Sequence, residues 1–237
     1  MTVQARAPIL VIMHGESSSA GRVGQALERR GYTLDRCKPR YGQALPQTSA
    51  GHSGVIVFGG PMSCNDPDCY IKDEIDFAGL ALKEQTPFLG ICLGAQMLAK
   101  HLGAAVTKHP EGKVEIGYHR LDATSQGARL GPWPPLAYQW HREGFELPAG
   151  CTRLAEGSVF ENQAFSHGHC SFGVQFHPEI TYALVNRWTV LAKEWQDRPG
   201  AQAPAAQLTG HLLNAGSVAR WLDRLLDAWL GAKTAMA

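Results

Sequence analysis

The chain has 237 residues, 44% of them hydrophobic, and its 22 basic and 21 acidic side chains leave a formal net charge of +1. That length and apolar content suffice for a large core, so one domain is expected over residues 1–237, with a core over about 8–190 and a helical extension over about 191–237. The balanced charge supplies no field that would gather nucleic acid or an anionic membrane, which leaves small molecules as the expected partners.

The first apolar run, Pro8 to Met13, is too short for a secretory segment or a membrane span, so a cytoplasmic protein is expected. Within it, Ile9 to Met13 reads as a buried strand. Val23 and Leu27, flanked by Ala20 and Arg30, then fit a helix with one apolar face, stopped by Gly31. Val55 to Phe58 is a second continuous apolar run, ended by Gly59-Gly60-Pro61. Phe88 to Ile91 is a third, leading straight into a helix that begins near Leu93. This alternation predicts βαβ units and an α/β fold of three layers, a mostly parallel central sheet flanked by helices in the flavodoxin-like manner. From Val114 to Phe176 the helical period fades. Strand-like runs at Val114–Tyr118, Leu136–Trp140, Phe160–Phe165 and Ser171–Phe176 predict a small antiparallel extension. Tyr182–Trp195 and Leu208–Leu230 return to helical spacing, separated by a linker from Arg198 to Pro204. In the second of these, Trp221, Leu222, Leu225, Leu226, Trp229 and Leu230 read as the core-facing side of a docked C-terminal helix.

The six cysteines, Cys37, Cys64, Cys69, Cys92, Cys151 and Cys170, show no paired short spacing, so reduced thiols are expected, and neither a metal nor a cofactor. Cys92 stands apart. It lies between a buried strand and a helix with Gly90 and Gly94 two residues to either side, the layout of a nucleophile elbow, in which a sharp turn requires small neighbours. A helix start also stabilises a thiolate, through unpaired N–H groups and the positive end of the macrodipole. A cysteine nucleophile needs a base and a group to orient that base. His177-Pro178-Glu179, closing the apolar run Phe172 to Phe176, offers both. The glycine turn at Gly59-Gly60-Pro61 lets backbone approach a substrate closely, so the N–H groups of Gly60 and Leu93 are the expected oxyanion donors, with Gly59 and Pro61 beside the substrate. Each piece alone has a plainer reading, namely a buried inert thiol, a surface histidine and an ordinary tight turn.

Together these segments resemble the class I (triad) glutamine amidotransferases, whose signatures are a Gly-Gly-Pro loop, Gly-x-Cys-x-Gly-x-Gln (here Gly90, Cys92, Gly94, Gln96) and His-Pro-Glu, in this chain order. Glu115-Ile116-Gly117-Tyr118, the run Tyr138 to Pro148 and Asn162-Gln163-Ala164-Phe165 are similar to stand-alone members related to the glutaminase domain of GMP synthase. The resemblance implies a γ-glutamyl thioester on Cys92, with His177 passing a proton to departing ammonia and then activating water. It also implies substrate contacts from Gln96 and from Trp140, His141 and Arg142, where the synthase domains carry Ser-His-Gly. The alternative for those three is a packed aromatic and two surface polar residues.

No phosphate-binding glycine loop accompanies these motifs, so the ammonia acceptor is expected on a separate ATP-dependent synthase subunit. L-glutamine is the expected substrate. A larger γ-glutamyl amide, hydrolysed by the same machinery, is the alternative, and a catalytically silent binding or regulatory module is a third reading.

Overall fold

The structure is a computed structural model that describes residues 6–191 and 193–234. In chain order its strands are β1 (Ile9–Ile12), β2 (Leu34–Cys37), β3 (Gly54–Val57), β4 (Phe88–Ile91), β5 (Val106–Lys108), β6 (Glu115–Arg120), β7 (Asp122–Ala123), β8 (Leu136–His141), β9 (Glu143–Phe145), β10 (Thr152–Glu156), β11 (Asn162–His167) and β12 (Ser171–Val174). The α-helices are α1 (Gly21–Arg29), α2 (Cys69–Lys83), α3 (Leu93–His101), α4 (Tyr182–Leu191) and α5 (Pro204–Thr234).

Eight strands form the central sheet in the order β2-β1-β3-β4-β12-β11-β10-β7. The first five run parallel, and β11, β10 and β7 continue the sheet antiparallel. Strands β1, β3 and β4 are buried along their whole length, as the unbroken apolar runs require of strands covered on both faces. The period of two then divides β1 between two layers. Ile9, Val11 and Met13 face one apolar cluster with Leu27, Trp221 and Trp229, while Leu10 and Ile12 face the other with Phe77, Leu93 and Met97. Helices α1 and α5 thus cover one face, and α2 and α3 the other.

The expected antiparallel extension is divided differently from the sequence reading. Ser171–Val174 is β12, a parallel strand at the centre of the sheet, because the β11–β12 hairpin returns the chain beside β4. The Val114 and Leu136 runs pair with each other as β6 and β8 in a separate two-stranded sheet, and β5 pairs with β9 in another. The segment read as a linker is held at its end. Ala201 bridges to Ile116 beside β6, and Pro204 already opens α5. Helix α4 ends at Leu191, and Lys193–Trp195 forms one short 3₁₀ turn; Ala192, within the expected helix, lies outside the described residues.

Trp221, Leu222, Leu225, Leu226 and Trp229 are all buried in the cluster beneath α1 and β1, and Leu230 packs against it. Gly54 makes room for Trp229, whose ring would lie 2.6 Å from any Cβ at that position. The cysteines are all free thiols. Among the described residues no helix is long and apolar enough to cross a membrane, and no cluster of His, Cys, Asp and Glu could hold a metal.

Replacing Trp229 by alanine would leave a cavity against Gly54 and is expected to cost about 3–5 kcal/mol of stability. Thermal unfolding checks this, and an unchanged Tm would mean that α5 contributes nothing to the core.

Candidate active site

The five parallel strands release their loops at one edge of the sheet, the edge at which open α/β sheets bind ligands. The loops after β1, β3, β4 and β12 converge there on a cavity of about 470 Å³, walled on its far side by the β8–β9 turn and α4.

Cys92 occupies the whole junction between β4 and α3, since Ile91 ends the strand and Leu93 opens the helix. Its backbone has φ +50° and ψ −104°, a conformation that costs a non-glycine residue about 1–3 kcal/mol and persists only where the surroundings impose it. Those surroundings are Gly90 and Gly94. A Cβ on Gly90 would sit 2.5 Å from the Gly94 carbonyl carbon, and one on Gly94 would sit 2.1 Å from the Val57 carbonyl oxygen, both rigid backbone. The Cys92 N–H donates to Val174 O at 2.8 Å, which fastens the turn to β12.

His177 reaches the same pocket from β12. Strands β4 and β12 pair in parallel with Ile91 opposite Val174, so the residues that follow each strand emerge side by side. The His177 N–H donates to Tyr138 O at 2.8 Å, and Nδ1 lies 2.7 Å from Glu179 Oε1. The Glu179 backbone is pinned as well, its carbonyl accepting from the Arg22 N–H at 2.8 Å at the start of α1. His177 Nε2 is buried and has no hydrogen-bond partner among the described residues. Gly59 ties the groups together, because a Cβ there would lie 2.8 Å from His177 Cε1 and 3.4 Å from Cys92 Cβ. Only a bare backbone can stand against both.

Burial by itself would push the His177 pKa down, but the negative charges of Glu179 and Cys92 outweigh it and raise the value to about 10. Its neighbours thus favour the protonated ring more than in a free histidine. A Gln175 amide N–H points at the Cys92 sulfur at 3.6 Å, and Gln175 is oriented in turn by Gln96 at 3.2 Å.

A model of the family described as glutamine amidotransferase class-I matches residues 17–186. The chain belongs to that family. Among relatives of this amidotransferase is the glutamine amidotransferase-like protein YfeJ of Salmonella typhimurium, 32% identical over 187 residues, which are 73% of this chain and 76% of that protein. One subunit of the glutamine-hydrolysing GMP synthase of Methanospirillum hungatei is 32% identical over 59% of this chain and 71% of its own length. The match to the GMP synthase of Wolinella succinogenes covers only 25% of that longer protein. A solved glutamine amidotransferase from Methylobacillus flagellatus superposes with a TM-score of 0.89 at 25% identity over 96% of this chain and 95% of its own. One from Thermotoga maritima does so with a TM-score of 0.83 at 29% identity, over 96% and 99%.

Every residue expected at the site lies at this cavity or directly behind it. Gly59, Gly60, Pro61, Cys92, Gln96, Trp140, His141, Arg142, His177 and Glu179 line it, and Leu93 follows Cys92 at the first position of α3, where its N–H has no partner within the helix. Gly60 packs on Leu93, and its N–H has no acceptor among the described residues. Gln96 is committed, its amide N–H groups going to Glu143 O at 2.8 Å and to Gln175. His141 is not the surface residue of the plainer reading. It is buried 3.0 Å from Glu115, whose carboxylate is held below its usual pKa even though burial acts to raise it, because His141 and Gln163 favour its charged form. The sequence reading missed Gln175 and Trp188. Gln175 lies two residues before His177, just past the end of β12. Trp188, whose ring stands edge-on to His177 with centroids 4.9 Å apart, carried no local signal.

The amidotransferase's His177 is expected to titrate well above an ordinary histidine, and Cys92→Ala to lower its pKa, since one of the two raising charges is removed while burial remains. Imidazole NMR across pH measures this. An identical titration in both proteins would separate the two side chains electrostatically.

Proposed function

We propose that the chain hydrolyses the side-chain amide of L-glutamine to glutamate and ammonia through a thioester on Cys92. The observation that carries this reading is the strained Cys92 beside an imidazole whose Nδ1 is held by Glu179 and whose Nε2 is unclaimed. In the first half of the reaction the Cys92 thiolate attacks the γ-carbonyl carbon. The negative charge that develops on the carbonyl oxygen is met by the N–H groups of Gly60 and Leu93. Collapse of the tetrahedral species breaks the C–N bond, and the His177 Nε2 proton goes to the leaving nitrogen, which departs as ammonia. In the second half, Nε2 accepts a proton from water, the hydroxide adds to the thioester carbon and the C–S bond breaks. Glutamate leaves, and the thiolate–imidazolium pair is restored. Glu179 keeps Nδ1 protonated throughout, so that Nε2 is the nitrogen that exchanges protons.

The ammonia is passed to a separate synthase in this reading, which the likeness to one subunit of a GMP synthase supports. One observation favours a second substrate reading. The cavity, at about 470 Å³, falls in the range that holds drug-sized ligands and exceeds the needs of glutamine alone. Trp140, Trp188 and Trp195 in its lining offer apolar surface to the substituent of a larger γ-glutamyl amide.

Cys92→Ala is expected to abolish ammonia release from glutamine with little change in Tm, and surviving turnover would reassign the nucleophile. Glu179→Gln is expected to lower kcat far more than it changes KM, because it loosens the imidazole and leaves the pocket intact. Steady-state kinetics separate that outcome from a pure KM defect, which would give Glu179 a binding role. A comparison of glutamine with γ-glutamyl dipeptides by mass spectrometry decides between the two substrate readings.

A further inference from the structure

Another imidazole–carboxylate pair lies directly behind the Gly59-Gly60 turn, outside the machinery described above. His14 follows β1, Glu74 sits in the middle of α2, and both are fully buried with Nε2 of His14 2.6 Å from Glu74 Oε2. The other ring nitrogen, Nδ1, lies 3.1 Å from the carbonyl oxygen of Gly59. A carbonyl oxygen can only accept, so Nδ1 must carry a hydrogen. The pair then holds one shared proton on its other side, either as imidazolium facing carboxylate or as neutral imidazole accepting from a carboxylic acid, and it is net neutral in both forms. The hydrogen on Nδ1 is demanded by the Gly59 carbonyl, and Glu74, by gripping the opposite nitrogen, keeps the ring from turning away from it. Gly60 packs on the same ring, because a Cβ there would lie 2.8 Å from His14 Cβ.

The consequence follows from the planarity of the peptide. In a trans unit the C=O of one residue and the N–H of the next point in opposite directions, and no cis bond occurs among the described residues. Fixing the Gly59 carbonyl on His14 therefore fixes the Gly60 N–H in the same plane, pointing away from His14. Neither glycine has a side chain of its own to set the orientation of that peptide. We propose that His14 and Glu74 are positioning residues that hold the Gly59–Gly60 peptide with the Gly60 N–H set as an oxyanion donor. This rests on the glutaminase reading for its kinetic consequence, though not for its geometry.

The test pairs two substitutions at one position. His14→Phe keeps a flat ring and removes both nitrogens, whereas His14→Asn puts an amide N–H where Nδ1–H stood. With glutamine as substrate, His14→Phe is expected to lower kcat about a hundredfold, the scale of losing one oxyanion donor, with KM within about threefold of the parent. His14→Asn is expected to regain at least about tenfold of that loss, and Glu74→Leu to lower kcat about tenfold. A His14→Phe enzyme with kcat within about threefold of the parent, or a His14→Asn enzyme as slow as His14→Phe, overturns the proposal. Should His14→Phe fail to fold, ring nitrogen NMR of the unsubstituted protein decides. A protonated Nδ1 on His14 at neutral pH is expected, and an unprotonated Nδ1 overturns the proposal. The same spectrum separates this inference from the glutaminase reading. A chain that releases no ammonia from glutamine yet shows Nδ1 protonated loses the substrate assignment and keeps the brace, while an active chain with Nδ1 bare loses the brace alone.

Discussion

Parallel pairing of β4 with β12 is the constraint on which the site depends. Cys92 and Gln175 are 83 positions apart in the chain, yet Ile91 stands opposite Val174, so the residues after each strand leave the sheet as neighbours. A slip of one residue would reverse which side chains face which layer and would carry Cys92 and His177 apart. Burial of both strands protects against such a slip, because every side chain on β4 and β12 is enclosed by one of the two apolar layers or by the neighbouring strand. Core packing and the chemistry of the edge are thus one requirement.

The site spends part of that stability on strain and on buried polarity. Cys92, His177 and Glu179 are each about 4% exposed, and charges taken so far from water are tolerated only when paired and hydrogen-bonded. Glu179 holds Nδ1 of His177 at 2.7 Å, and the second carboxylate oxygen of Glu179 and Nε2 of His177 remain without partners among the described residues. Both residues line the cavity. Behind this front rank stand two more imidazole–carboxylate contacts, His14 with Glu74 and His141 with Glu115. Together they fix the backbone on both sides of the cavity, since His14 reaches Gly59 O and His141 reaches Glu143 O.

Much of this was legible in the amino-acid sequence where a signal was local. The apolar runs of β1, β3 and β4, Gly31 after α1, and the glycines around Cys92 state their structure within a few residues. What requires partners from elsewhere was not legible. Strand β12 reads like any short apolar run, and only its pairing with β4 makes it parallel and central. Strand β2, Leu-Asp-Arg-Cys, is an edge strand with two exposed charged residues and carries no alternation to announce it. Gln96 is singled out by its motif, but its bonds to Glu143 O and Gln175 come from segments the motif does not contain. His14 and Glu74, 60 positions apart, share no motif, and their meeting depends on α2 crossing behind the end of β1.

The proposed chemistry is covalent, with the γ-glutamyl group passing through the sulfur of Cys92. Acid quenching during turnover of glutamine, followed by peptide mass spectrometry, tests it most directly. A γ-glutamyl mass increment is expected on the peptide carrying Cys92, and it should vanish once substrate is exhausted. Steady ammonia release with that peptide unmodified, or with the increment on another residue, would contradict it.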